Sequence, residues 1–171
     1  MGNVYVAASR NARVFEYTSD LMLVSSWTHT SFGEEKGAPG QSHAVGPAGM
    51  VFDASGNLVV AGVDEFCVFS KPGEELGCHP KIKSQATENI IFDIERNLYT
   101  TTATGGTDEV HKYDSYYQHV TTFQLPTGNL TGVTCDPDGN LYFASQLGNN
   151  TSRIYKVDKT NVANVLDQFD I

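Results

Sequence analysis

The sequence has few basic residues and no long apolar run. It contains 11 Lys and Arg against 20 Asp and Glu, which gives a formal net charge of −9 at pH 7. A nucleic-acid surface needs clustered positive charge to neutralise phosphates, so we expect no nucleic-acid partner. A transmembrane helix needs roughly 20 consecutive apolar residues, so we also expect no membrane span. An acidic surface instead favours solubility, cations or basic partners.

Helical periodicity is also missing from the sequence. No window repeats its apolar residues with the 3.6-residue spacing of an amphipathic helix, so we expect almost no helix. Short runs of β-branched and aromatic residues alternate instead with Gly, Asn and Asp. Such runs between turn residues predict strands and hairpins. The composition therefore predicts an all-β protein.

A repeat is the most informative feature that is present. The motif Asp-x-x-(Gly or Arg)-Asn, followed by an alternating apolar run, begins at Asp53, Asp93 and Asp136, and its second half opens the chain at Asn3. The asparagines of the four copies are spaced by roughly 40 to 55 residues, and a period near 40 is typical of a propeller blade. The recurring aspartates are expected to serve the turns, because Asp accepts hydrogen bonds from backbone groups two residues onward.

Each copy predicts a hairpin, followed by a third strand and a weaker fourth. We therefore predict an all-β β-propeller of about four antiparallel four-stranded blades in a single domain, 1–171. The first blade lacks its inner strand, since nothing precedes Gly2 to form it. The predicted blades are 2–27, 46–81, 88–125 and 131–169, and the segment 28–45 is predicted to be an inserted surface loop. That loop is either a recognition surface or an insertion of no consequence.

The third-strand segments 11–17 and 150–158 look like those of NHL repeats, as do the hairpins at 49–59 and 132–142. The resemblance covers nearly the whole chain and implies a β-propeller. NHL-like propellers include binding scaffolds, sugar-lactone hydrolases, antibiotic lyases and extracellular receptor modules, so the resemblance leaves the function open. The chain is also loosely similar to gluconolactonase-type propellers.

Candidate site residues lie just before the predicted inner strands, where propeller loops meet the central channel. They are His43, Glu88, Asn89 and Asn129. Carboxylate and amide oxygens suit Ca²⁺, so Glu88 and Asn129 are the candidate ligands if a metal binds. The gluconolactonase resemblance implies a divalent-cation-dependent hydrolase or lactonase, in which a metal-bound water attacks the lactone carbonyl. Lyase-type propellers use a His and a Glu for proton abstraction, for which His43 and Glu88 are the candidates.

The remaining histidines are expected to be exposed polar residues on strands or outer loops. They are His29, His79, His111 and His119. The tyrosines that alternate with apolar neighbours are expected to pack between blades. They are Tyr5, Tyr99 and Tyr142.

Three cysteines are present. Cys67 lies on a predicted third strand and Cys78 near a fourth, so the two could meet across a hairpin as a disulfide. Cys135 is expected to pack as a small buried hydrophobe. A zinc site needs clustered Cys and His ligands, and Cys78-His79 is the sole adjacent pair, so the sequence favours the disulfide.

Two glycosylation sequons, at Asn129 and Asn150, fall in predicted loops. Together with the candidate disulfide they favour an extracellular glycoprotein. A cytoplasmic location is the alternative, because no secretory leader precedes the first predicted strand.

The leading interpretation is a non-enzymatic binding or assembly module that contacts proteins, glycans or other copies of itself. The divalent-cation-dependent hydrolase is the alternative, and no cofactor other than Ca²⁺ is expected. Since open strand edges promote pairing, we expect a homo-oligomer. Three arrangements remain open: a propeller that closes alone, an assembly of several copies, or a piece of a longer propeller.

Overall fold

The computed structural model of the chain describes residues 2–33, 46–82, 87–102, 109–125, 129–148, 151–158 and 165–170. Within these residues it contains fifteen strands, two short 3₁₀ turns and no α-helix. The 3₁₀ turns are Ser9–Asn11 and Thr30–Phe32. The strands are β1 Val4–Ala8, β2 Arg13–Tyr17, β3 Leu23–Thr28, β4 Gly49–Phe52, β5 Leu58–Ala61, β6 Glu65–Lys71, β7 Glu74–Pro80, β8 Thr87–Phe92, β9 Leu98–Thr102, β10 Glu109–Tyr113, β11 His119–Gln124, β12 Asn129–Cys135, β13 Leu141–Gly148, β14 Thr151–Val157 and β15 Val165–Asp170.

The strands form four antiparallel sheets. The first has three strands in the order β1-β2-β3, and the others have four each, β4 to β7, β8 to β11 and β12 to β15, all as consecutive neighbours. The predicted all-β propeller with a three-stranded first blade is therefore confirmed. No helical segment within the described ranges has the length and apolar character of a membrane span.

The chain divides into two compact units, residues 1–86 and 87–171, each containing two sheets. In each unit buried side chains from both sheets form one apolar core. The first core consists of Ala12, Val14, Trp27, Phe32, Leu58, Val60, Cys67 and Phe69. The second consists of Tyr99, Val110, Phe123, Leu125, Leu130, Leu141, Phe143, Tyr155 and Val157. The assignment of 1–171 to a single domain stays a prediction.

The repeated aspartate builds the turn between the first two strands of a blade. At Asp53 one carboxylate oxygen accepts the backbone N–H groups of Ser55 and Asn57, each at 2.8 Å. The other oxygen accepts the Asn57 side-chain amide at 2.9 Å. Gly56 lies at φ +82°, in the left-handed region that glycine adopts without a steric penalty. The motif therefore recurs because the hairpin requires it.

The copies in the third and fourth blades add one more donor to this carboxylate. The Tyr99 hydroxyl donates to Asp93 at 3.2 Å, and the Tyr142 hydroxyl donates to Asp136 at 3.0 Å. Burial raises the pKa of Tyr99, and the neighbouring Asp93 carboxylate adds to the shift. These tyrosines therefore support the turn as well as the packing between strands.

The first blade replaces the missing aspartate with a glutamate from a different strand. Asn3 and Tyr5 both donate to Glu16 of β2, at 2.6 and 2.9 Å. Ser25 donates to the other carboxylate oxygen at 2.8 Å. The first blade therefore satisfies its Asn and Tyr without an inner strand.

Two differences from the sequence predictions concern histidines and the inserted segment. His111, expected to be exposed, is only 2 % exposed on β10, and the His29 side chain is 18 % exposed. Residues 28–33 of the predicted surface loop are folded, since Thr28 ends β3 and the Thr30–Phe32 turn buries Phe32 in the first core. Residues 34–45 lie outside the described residues.

Candidate functional site

The residues predicted at the channel mouth are spread over two inner strands of the second unit. Glu88 and Asn89 lie in β8 and Asn129 is the first residue of β12, whereas His43 and the Glu88 side chain lie outside the described part of the chain. The Asn89 side-chain amide donates to the Thr131 carbonyl at 2.9 Å and so links β8 to β12. The Asn89 side chain therefore makes a structural hydrogen bond between two blades. A metal-ligand role for Glu88 and Asn129 stays a prediction.

One of the two sequons differs from the expectation that both lie in loops. Asn129 is exposed but begins a strand. Asn150 lies outside the described residues. Glycosylation and an extracellular location stay predictions.

Cys67 and Cys78 are directly opposite one another in the β6–β7 register. A disulfide joins them, with their Cα atoms 4.1 Å apart. Cys135 is a free, partly buried cysteine whose thiol donates to the Phe92 carbonyl at 3.6 Å. Burial raises the pKa of the Cys135 thiol, and the Asp93 and Asp136 carboxylates add to the shift.

A small pocket lies between the first and second sheets. Its cavity volume is about 30 Å³, which is water-sized. Its lining residues are Tyr5, Trp27, Phe52, Gly56, Leu58, Phe69, Ser70, Lys71 and Pro72. Tyr5 packs edge-on against both Trp27 and Phe52, with ring centroids 6.2 and 5.5 Å apart. We call this cavity the aromatic pocket.

One polar atom of the aromatic pocket has no partner within the described structure. Trp27 is 8 % exposed, and its indole Nε1 is buried without a hydrogen bond. Tyr5, in contrast, donates to Glu16, and burial together with that bond raises the pKa of Tyr5 to about 12. An unpaired buried N–H costs free energy.

The first sheet has a second, exposed apolar face. Cross-strand partners share a face of a sheet, and the register pairs Val4 with Tyr17 and Val6 with Phe15. Leu23 of β3 also pairs with Tyr17. Val4, Val6 and Leu23 are 41 %, 44 % and 59 % exposed. We call these five residues the open face of the first sheet.

No protein-family model and no curated protein matches the sequence, but solved structures match the fold. Virginiamycin B lyase from Staphylococcus aureus superposes with a TM-score of 0.70 at 14 % identity, covering 99 % of this chain and 52 % of the lyase. The Neurospora crassa Pan2 WD40 domain gives a TM-score of 0.72 at 8 % identity, with 98 % of this chain and 46 % of that chain covered. A gluconolactonase-like protein gives 0.64 at 15 % identity, with 92 % and 59 % covered.

These similarities establish the β-propeller fold. The chain spans about half the length of the propellers that it matches. The matched structures include enzymes and a WD40 domain, and the NHL-repeat assignment itself stays a prediction.

Sequence reasoning missed the aromatic pocket and the open face for one reason. The pocket depends on how two sheets pack, and the open face depends on how the strands of one sheet pair. Local sequence motifs specify neither. A signal was present for the open face, since Val4 and Val6 alternate with Tyr5 on a strand predicted to lack its inner neighbour.

Proposed function

We propose that this protein is a non-enzymatic β-propeller module that assembles with a second copy of itself through the open face of the first sheet. The observation that carries the proposal is the exposure of Val4, Val6 and Leu23 on a three-stranded blade sheet. Contiguous exposed apolar side chains rimmed by polar residues mark interaction surfaces.

The partner follows from the chemistry and the size of the chain. The stacked rings of Phe15 and Tyr17, 6.3 Å apart, suit an apolar sheet rather than a charged ligand. Among the described strands β1 pairs with β2 alone, and an edge strand of this kind offers backbone groups for pairing. Two copies together supply about as many residues as one of the matched propellers.

The hydrolase alternative rests on the fold alone. The matched lyase and gluconolactonase-like protein share that fold with a WD40 domain, at identities too low to transfer an activity.

The direct test of assembly is a pair of matched lysine substitutions. Val6→Lys places a charge on the open face, whereas Val120→Lys places the same charge on the outer strand β11 at a similarly exposed valine. Sedimentation should show that Val6→Lys weakens self-association at least tenfold and Val120→Lys leaves it unchanged. Equal self-association of the wild type, Val6→Lys and Val120→Lys would reject the open face as the interface.

A further inference from the structure

The disulfide of the second sheet lies beside a histidine that follows the last strand of the first sheet. His29 follows β3 of the first sheet, and its Nδ1 atom lies 3.8 Å from Cys67 Sγ on β6. Among the described residues, His29, Cys67 and Cys78 form a group whose potential ligand atoms all lie within 4.8 Å of one another. His29 is far in sequence from the two cysteines, so no metal-ligand spacing motif in the sequence indicates the group.

Hydrogen bonds fix the tautomer of this histidine. The backbone N–H of Ser31 donates to His29 Nδ1 at 3.2 Å, so this nitrogen carries a lone pair. The other ring nitrogen, Nε2, therefore carries the proton and lies 2.8 Å from the Glu75 carboxylate. A carboxylate that holds the outer N–H of an imidazole is the usual outer-shell partner of a metal-ligating histidine.

The sulfur atom in this contact also carries only lone pairs. A disulfide sulfur has no proton, so Cys67 Sγ and His29 Nδ1 face each other as two acceptors. The Ser31 hydroxyl is placed between them, 2.8 Å from Nδ1 and 3.3 Å from Cys67 Sγ. In a tetrahedral zinc site, donor atoms lie about 3.5–3.8 Å apart, which is close to the observed separation.

The segment that carries His29 is held firmly in place. The backbone N–H of Val63 donates to the Ser31 carbonyl at 2.8 Å. A Cβ at Gly62 would lie 2.2 Å from that carbonyl oxygen, so only glycine permits this approach. The His29 ring also packs edge-on against Phe69, 5.5 Å away. The imidazole is therefore held beside the two sulfurs, and a metal bound to Nδ1 would displace the hydrogen bonds from Ser31.

We propose that reduction of the Cys67–Cys78 disulfide opens a Zn²⁺ site formed by His29 Nδ1 and the two cysteine sulfurs, with Glu75 as the outer-shell partner of His29. A dithiol reductant supplies two electrons and two protons and closes into its own disulfide, which leaves two thiols on the protein. Zinc then displaces both thiol protons to solvent. Three protein ligands leave the fourth position to water, and the oxidised chain has no thiolate to offer.

The test uses the full chain, reduced under anaerobic conditions and titrated with Co²⁺ and then Zn²⁺. The reduced wild-type chain should bind one Co²⁺ with the absorption of tetrahedral thiolate coordination, and Zn²⁺ should bleach it. Cys67→Ser and Cys78→Ser should abolish the signal, whereas Cys135→Ser should leave it unchanged because that thiol is not in the cluster. The oxidised chain should bind no metal.

The histidine and its carboxylate partner are tested separately. His29→Ala should weaken Zn²⁺ binding at least tenfold, and Glu75→Gln should weaken it about 10- to 100-fold, as outer-shell losses do. Binding that survives in Cys67→Ser, or equal binding by the oxidised and reduced chains, would overturn the proposal.

A second measurement, of Trp27 fluorescence, applies if the chain unfolds when the disulfide is reduced. If the reduced chain unfolds, Zn²⁺ should restore the native Trp27 fluorescence in the wild-type chain but not in His29→Ala. Failure of Zn²⁺ to restore it in the wild type would contradict the site equally.

Discussion

At the scale of single residues, the repeated carboxylates are structural. Asp93 accepts four hydrogen bonds, from the backbone of Glu95 and Asn97, the Asn97 amide and the Tyr99 hydroxyl. Hydrogen bonds to an ionised acceptor are stronger than neutral ones. Asp53 makes the equivalent bonds without a tyrosine, because Val59 occupies that place.

This difference predicts unequal costs for the same substitution. Asp93→Ala leaves the buried Tyr99 hydroxyl and the partly buried Asn97 amide unpaired and should lower the free energy of unfolding by about 2–4 kcal/mol. Asp53→Ala, at a more exposed turn without a tyrosine, should cost about 1 kcal/mol. Urea denaturation of both variants measures the difference, and equal costs would contradict a structural role for Tyr99.

Glu16 predicts an acid-dependent loss of stability. Its hydrogen bond from Asn3 lowers the pKa of the buried carboxyl, with further bonds from Ser25 and Tyr5, against the opposing effect of burial. The folded state therefore binds fewer protons than the unfolded state, so stability is lost as the pH falls below the unfolded pKa of about 4.3. Urea midpoints from about pH 6 to about pH 3 should fall less steeply for Glu16→Gln than for the wild type. Parallel curves would refute this linkage.

At the scale of secondary-structure elements, the same five-residue turn occurs five times in the described part of the chain. Besides the three aspartate copies, Asp114–Gln118 and Thr18–Met22 close with the same backbone hydrogen bonds. The fourth residue of each turn has positive φ. These residues are Gly56, Arg96, Gly139, Tyr117 and Leu21.

Arg96 occupies this position at φ 68°, where a side chain is strained. Arg96→Gly should stabilise the protein by about 0.5–1 kcal/mol, because relief of strain exceeds the added entropy of the unfolded chain. Glu95→Gly, one residue earlier at ordinary φ, is the matched control and should destabilise. Thermal denaturation distinguishes the two, and a destabilised Arg96→Gly variant would show that the strain is negligible.

Local chemistry explains which elements the sequence predicts. The Asp, Gly and Asn of each hairpin are adjacent in sequence, so strands and their pairing within a blade follow from the motif. The turns at Thr18 and Asp114 lack Gly and Asn, and no motif indicates them. The partial burial of His29 depends on contacts with Cys67 and Glu75, which are far away in sequence. The roles of His43, Glu88 and Asn129 stay predictions.

At the scale of the whole molecule, the net charge and the exposed apolar surface have opposite effects on self-association. A net charge of −9 on each copy opposes association, whereas the open face of the first sheet favours it. Salt screens repulsion between like charges at a Debye length of about 8 Å at 0.15 M. Self-association should therefore strengthen as salt is raised, unlike binding through ion pairs.

The most direct test of the assembly proposal is the mass of the isolated chain by light scattering, over a range of protein and salt concentrations. We expect a concentration-dependent dimer of twice the 18.6 kDa chain mass, strengthened by salt and lost in Val6→Lys but not in Val120→Lys. A monomer at every concentration and salt level would contradict it.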